Sequence, residues 1–552
     1  MITKKITILI FIWCILLFYI NLEFNFSDSI DIALFWISTL LLFGIVVYQI
    51  FCVENNTFVV FEIVIIYFLL HIVYQFGYFG LRGSDSYIDY NFLKSILNNG
   101  HFTFGKDDMA GWPMIHIYSG TVTLLTNTSS LLVAKYLPSI ITSIIVFPIY
   151  LLIRQIYTNR KVALLSCLIF GSIPQFVSFE GLFIRETFAI FFFIFFFYIL
   201  YTSKIKNIRR FRFLSIILIP IVIFAHHFTS FMIIIFLTIF LLISKIIPLV
   251  YRKTKNISFT TVHINTLFLM IVVGVLTYWL FLAVFILQDF FSIFYEATGV
   301  KELATYAERA SLSTTIVTFK GNIIYYGFFF FNGILSLILF IKFIFYKNKQ
   351  KIEDTSFTIF LYFSLFYGAL ALYVLGSILF PDRFLPFGWM FGLIPICGLL
   401  FTTKSNILKK FLIVIFILFL TYNIYNIDED YYTSNLHRQG TVAKEKDYLI
   451  AEKIDFPDQY YGYIGLFGAI YDIQNIEFIL GGGRNPIYIE NLHNSSTLVV
   501  VNENLYIDEL PNIKVKTPMY YEKIIELFSY QENQGIRKIC DLGEIYILKG
   551  GM

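Results

Sequence analysis

The chain has 552 residues, of which 58% are hydrophobic, 20% aromatic and only 14% charged, and its mean hydropathy is +0.74. Soluble globular domains carry about 25% charged residues, so most of this chain belongs in lipid. A formal net charge of +4 is small for this length and gives no basic footprint for nucleic acid. Of the five cysteines, only Cys540 stands in a polar region, which excludes a disulfide framework and a cysteine metal site there.

Taken in order, the chain opens with Lys4 and Lys5 before an apolar run with no A-x-A-like cleavage site, which predicts a retained first span. Apolar length predicts about 13 spans in all. They fall at 6–22, 32–53, 57–79, 131–153, 162–179, 188–202, 209–225, 228–250, 264–287, 322–346, 357–380, 384–401 and 408–427. Lysine and arginine gather in alternate connections: Lys4 and Lys5; Arg154, Arg160 and Lys161; Lys204 to Arg212; Arg252 to Lys255; Lys347 to Lys351; Lys404 to Lys410. The other connections are sparse in bases and richer in acids. Because basic residues accumulate on the cytoplasmic side, the expectation is a multi-pass protein of the cell membrane with a cytoplasmic N-terminus and an extracytoplasmic C-terminal region.

Two outer loops, 80–130 and 288–321, are long enough to expect function in them. Within the first, 87–97 reads as a short amphipathic helix, Asn99-Gly100 as a turn, and Trp112-Pro113 as the opening of a half-polar stretch with His116 and Tyr118. Within the second, 300–309 reads as a surface helix suited to covering a cleft. From about 428 the composition turns polar. A helix at 442–454, strands at 461–467, 497–501 and 544–548, and an Asp541-Leu542-Gly543 turn predict a small extracytoplasmic α/β domain. The expected organisation is therefore two N-terminal helices in 1–56, a transmembrane domain in 57–427 and a soluble domain in 428–552.

The polar residues worth singling out lie in the outer connections. LRGSDSYID follows the third span and presents Arg82, Asp85 and Asp89. KDD supplies Asp107 and Asp108, FEGLFIRE supplies Glu180, Arg185 and Glu186, AHHFT supplies His226 and His227, and PDRF supplies Asp382 and Arg383. Each has a plain reading as a solvated helix end, and Glu186 reads as the cap of its own span. Their joint placement on one side argues for a site, since the opposite turns carry almost only lysine and arginine. Carboxylates can accept a proton from a hydroxyl or hold a divalent cation. Arginine binds phosphate through a planar fork, and histidine can bind phosphate, relay a proton or hold a metal. If both lie on a helix, His226 and His227 point about 100° apart, which suits one ring inward and one toward the headgroups.

These stretches resemble the GT-C superfamily of membrane glycosyltransferases, in an archaeal-looking version. The resemblance is carried by GSDSYIDYNFLKSILNNGHF, WPMIHIYSGTVTLLTN, EGLFIRET, AHHFTSF, PDRFLPFGWMFGL and the terminal RKICDLGEIYIL, and runs from residue 57 to the end. Relatives of that kind include oligosaccharyltransferase catalytic subunits and protein O-mannosyltransferases. The resemblance implies transfer of a sugar from a polyprenyl-phosphate or diphosphate donor in the membrane lipid to a glycan, lipid or protein acceptor. It implies Asp85 as the catalytic base, with Asp89 beside it. Arg383, Arg185, His226, His227 and Arg82 would bind the donor phosphate, and Glu180, Glu186, Asp107 and Asp108 would hold sugar hydroxyls or a cation, Mg2+ or Mn2+.

This chain departs from the superfamily in three respects. Its acidic pair is four residues apart rather than D-x-D, D-D or D-E, two extra spans come first, and no W-W-D-type acceptor motif is present. The spacing leaves metal dependence open, and the missing motif argues against asparagine sequons as acceptors. Two other readings compete. A transporter or flippase for lipid-linked sugars would show charged residues near mid-span and inverted repeats. A non-catalytic scaffold presenting its outer domain would leave the acidic loop without a task.

Overall fold

The computed structural model describes residues 2–23, 28–53, 58–76, 81, 84–102, 111–157, 159–206, 209–250 and 262–283, scattered positions between 334 and 423, and five strands beyond 458. The chain divides into two compact units: Met1–Ile72, His101–Tyr118 and Leu137–Asp428 form one, and Val73–Gly100, Ser119–Tyr136 and Glu429–Met552 the other. Most described residues are helical. The helices are α1 (Ile2–Glu23), α2 (Asp28–Cys52), α3 (Phe58–Phe76), α4 (Ser84–Asn99), α5 (Met114–Thr126), α6 (Ser130–Ile144), α7 (Val146–Ile156), α8 (Arg160–Phe170), α9 (Pro174–Glu180), α10 (Arg185–Lys206), α11 (Arg209–Ala225), α12 (His227–Val250) and α13 (Val262–Phe281).

Among the described residues, four stretches are long and apolar enough to cross a membrane: Ala33–Cys52, Ser130–Gln155, Arg185–Ser203 and Ile264–Phe281. In the second of these, α6 runs on into α7 through Ile145, which keeps helical dihedrals. Pro148 has no N–H for the Ile144 carbonyl, so the hydrogen-bond ladder lapses there without ending the helix. Shorter apolar helices cover Thr7–Tyr19, Phe58–Val73, His227–Leu242 and Leu412–Asn423. The spans expected at 322–346 and 357–380 lie outside the described residues, Ile334 apart.

The expected span at 162–179 is not one helix. Asn159 caps α8 by accepting from the Lys161 amide at 2.9 Å, and every residue from Val162 to Phe170 is buried. The helix then stops at Gly171, and Pro174 opens α9 at its first position. Proline pushes the preceding residue out of the helical region, and Ile173 is accordingly extended at φ −69° and ψ 120°. The break is also locked from the side. The Tyr67 hydroxyl donates to the Cys167 carbonyl at 2.7 Å, and a Cβ on Gly171 would stand 1.8 Å from the Tyr67 ring.

Three further polar ties bind distant segments of this unit. Lys161 Nζ donates to the Phe51 carbonyl at 2.8 Å, closing the end of α2. Asn423 Nδ2 donates to Ser172 Oγ at 3.1 Å. Gln49 Nε2 donates to Glu62 Oε1 at 2.9 Å, and both side chains are buried.

In the second unit, α4 forms where the amphipathic pattern predicts it. Tyr90 and Leu93 are buried, the Leu93 and Leu97 side chains flank Gly120 of α5, and the Tyr90 and Ser130 hydroxyls are 3.2 Å apart. Gly100 ends the helix at φ +71°, a backbone state that glycine adopts without steric cost. The strands are β1 (Gln459–Tyr461), β2 (Asn475–Ile476), β3 (Leu498–Asn502), β4 (Arg537–Asp541) and β5 (Ile545–Lys549), in the order β2-β1-β3-β5-β4. β1 pairs in parallel with β2 and β3, whereas β5 pairs antiparallel with β3 and β4. The β4–β5 pair runs from Arg537↔Lys549 to Asp541↔Tyr546, with a one-residue register shift between Lys538 and Cys540, and brackets the expected turn. The helix expected at 442–454 lies outside the described residues.

Candidate functional site

The residues singled out from the sequence divide between the two units. Asp85 and Asp89 belong to α4 in the second unit. Asp85 sits exposed in the first turn of that helix, while Asp89, one turn on, is buried at 1% exposure. Glu180, Arg185, Glu186, His226 and His227 belong to the first unit. Arg82, Asp107, Asp108 and Arg383, together with the segment 300–309, lie outside the described residues.

In the first unit, the short helix α9 ends on Glu180, which is buried. A tight turn follows, with the Leu182 amide donating to the Phe179 carbonyl at 3.1 Å and the Thr187 hydroxyl donating to the Leu182 carbonyl at 2.9 Å. Arg185 and Glu186 then open α10, where an acidic side chain suits the positive end of the helix dipole. Gly181 is pressed on α3: an added Cβ would stand 3.0 Å from the His71 carbonyl oxygen and 3.1 Å from that of Val177. His71 itself is fully buried, with Nδ1 2.7 Å from the Tyr67 carbonyl oxygen and its ring edge-on to Phe176.

The two histidines occupy the joint between α11 and α12. His226 is the single residue between those helices, and the Ser230 hydroxyl lies 3.0 Å from the Val222 carbonyl and 2.8 Å from that of His226, stitching the corner. His226 Nδ1 lies 3.1 Å from Thr229 Oγ1. Because His226 is outside the helix, the expected 100° divergence does not occur. The two rings instead meet, with centroids 4.6 Å apart and planes at 58°.

Trp112 is the residue on which these parts close. It precedes α5, is fully buried, and its ring centroid lies 4.6 Å from that of His227. The Arg185 guanidinium carbon stands 5.7 Å from the Trp112 ring, within cation–π range. Tyr278 lies edge-on at 6.4 Å, and its hydroxyl donates to the Gly111 carbonyl. The start of α10, the start of α12 and the end of α13 are thereby brought to one end of the helical body, with Arg185 and His227 only half-buried. The opposite end holds Arg154, Arg160 and Lys161, and there Gln155 and Thr202 hydrogen-bond at 2.7 Å.

Chemically, one guanidinium and one imidazole against an indole, with a second imidazole against the first, make a donor-rich edge suited to phosphate oxygens. Among the described residues no three His, Cys, Asp or Glu side chains are grouped to hold a metal ion. Trp112 and Tyr278 were not singled out as site residues from the sequence; the one signal for Trp112 is its place beside proline in a long outer loop.

Solved structures similar to this chain include an oligosaccharyltransferase and ArnT. The oligosaccharyltransferase of Archaeoglobus fulgidus, in complex with Zn and sulfate, matches 75% of this chain at 14% identity and a TM-score of 0.43, and the chain spans 62% of that protein. ArnT from Cupriavidus metallidurans, bound to undecaprenyl phosphate, matches 89% of this chain and 97% of its own length, at 9% identity and a TM-score of 0.48. No family model and no curated protein matches the sequence. Likeness of this degree does not fix a shared fold, so the functional reading stands on the chain's own residues.

Proposed function

We propose that this protein is a membrane glycosyltransferase that moves a sugar from a polyprenyl-phosphate or diphosphate donor to an acceptor hydroxyl at the outer membrane face. The observation that carries the reading is the placement of Arg185 and His227 against Trp112, with His226 against His227, at the end of the bundle away from the basic turns. Such an edge matches a phosphate headgroup that remains part of the bilayer while its sugar is in water. In this reading the acceptor oxygen attacks the anomeric carbon, and Asp85 takes the hydroxyl proton. The bond from the anomeric carbon to the phosphate oxygen breaks, and its electron pair leaves with the phosphate. Arg185, the histidines and Arg383 bind the charge that this step develops. Asp89, Glu180, Glu186, Asp107 and Asp108 hold sugar hydroxyls or a divalent cation.

The experiment is release of polyprenyl phosphate from polyprenyl-phosphate-linked sugars by membranes carrying the full chain, compared with membranes carrying Asp85→Asn. The expected result is release that falls by about 100-fold or more in the variant, the size of a general-base loss. Release that Asp85→Asn leaves unchanged refutes the assignment of the base. Movement of intact donor across sealed vesicles, with no release at all, would replace this reading by a transporter.

A further inference from the structure

Trp112 has a task that the phosphate reading alone does not assign. It is fully buried, so it meets a ligand at the bundle end only through its neighbours. Those neighbours are Arg185 at 5.7 Å and His227 at 4.6 Å, the two half-buried members of the donor-rich edge. Tyr278 fixes it twice, through an edge-on ring at 6.4 Å and through the hydrogen bond to the carbonyl of the preceding Gly111. Trp112 is therefore anchored to α13 while touching the first residues of α10 and α12. A free arginine side chain gives up a large rotamer entropy when it fixes on a ligand. One already stacked on a buried indole has surrendered much of that freedom beforehand, so binding is tighter for the same contacts.

We infer that Trp112 is a positioning residue that sets the Arg185 guanidinium and the His227 imidazole in register to receive the phosphate of a prenyl phosphate ester. This rests on the phosphate-binding role proposed above, and its test separates the two. The probe is farnesyl phosphate, titrated calorimetrically into the purified full chain in detergent, with farnesol as the ligand that has the same tail and no phosphate. Trp112→Leu, which fills much of the volume without a π-face, should weaken farnesyl phosphate about tenfold and leave farnesol unchanged. Trp112→Phe, which keeps a smaller face, should weaken farnesyl phosphate about threefold, again with farnesol unchanged. If the leucine variant does not fold, the phenylalanine variant decides.

Equal losses for both ligands would make Trp112 a packing residue and overturn the inference. No loss for either ligand would overturn it as well. Arg185→Ala and His227→Ala separate this failure from a broader one: if they weaken farnesyl phosphate and the Trp112 variants do not, only the positioning role falls. If neither weakens it, the phosphate site falls and the positioning role with it. Displacement of farnesyl phosphate by equimolar inorganic phosphate would mark a free-anion site and overturn the lipid-phosphate assignment.

Discussion

Gly171→Ala tests the break between α8 and α9, and the structure fixes even the sign of its effect in two backgrounds. Gly171 has φ −68° and ψ −11°, a backbone state that alanine adopts freely. On backbone grounds alone the substitution would stabilise by about 0.4–1 kcal/mol through the unfolded chain. The side chain reverses this. The new Cβ would lie 1.8 Å from Tyr67 Cε2 and 2.3 Å from Cζ, so the ring must retreat by about 2 Å to reach ordinary contact. Retreat breaks the 2.7 Å hydrogen bond from the Tyr67 hydroxyl to the Cys167 carbonyl. Overpacking of this kind costs about 1–3 kcal/mol and the lost hydrogen bond about 1 kcal/mol more, which less the backbone gain leaves a net loss of roughly 1–3.5 kcal/mol. Thermal unfolding of the purified full chain in detergent reads the effect. In a Tyr67→Ala background the clash partner is gone, and Gly171→Ala should become neutral or slightly stabilising. A loss of the same size in both backgrounds, or no loss in the parent, would refute the account of the break.

Asp89→Asn should lower sugar transfer by much less than Asp85→Asn if Asp89 only contacts sugar, and by a comparable factor if it holds a required cation; the ratio of the two rates decides. Glu62→Ala removes the acceptor of the buried Gln49 amide and should cost about 1–3 kcal/mol, more than Gln49→Leu combined with Glu62→Leu, as thermal unfolding of the single and double variants will show. A cysteine placed within 347–354 should be labelled only from the cytoplasmic side, and one at the C-terminus only from outside; labelling of both from one side refutes the alternation of the connections.

The spans were legible wherever an apolar run was long and unbroken, as at α2, α10 and α13. The amphipathic helix α4 and its Gly100 stop were legible for the same reason, since period and turn chemistry agree there. The α8–α9 break was missed although Pro174 announced it, because apolar length alone cannot tell a span from two short buried helices. Arg185, His226 and His227 stand out in the sequence by their place at span ends. Their convergence was not, because His226 leaves the helix and so turns its ring toward His227. Trp112 and Tyr278 are far apart in sequence, and the hydrogen bond that joins their segments spans 167 residues. No local pattern encodes such a pairing, and Glu62 escaped notice for a similar reason, its partner Gln49 lying on a different helix.

The burial of α8 has a consequence for how the protein is made. Its apolar residues, Val162 to Phe170, have no face left for lipid, and 11 residues are too few to cross a bilayer alone. Its settled position depends on segments synthesised both earlier and later: Phe51 and Tyr67 are waiting when it emerges, while Asn423 reaches Ser172 only 251 residues afterwards. A nascent chain therefore cannot place this helix by handing it sideways to the lipid as it leaves the ribosome. It has to be sheltered in company, by α2, Tyr67 of α3 and α7 at first, and is joined last by the helix that carries Asn423. Truncated chains ending before that helix should retain the early helices in the membrane yet remain open to proteolysis at the α8–α9 corner.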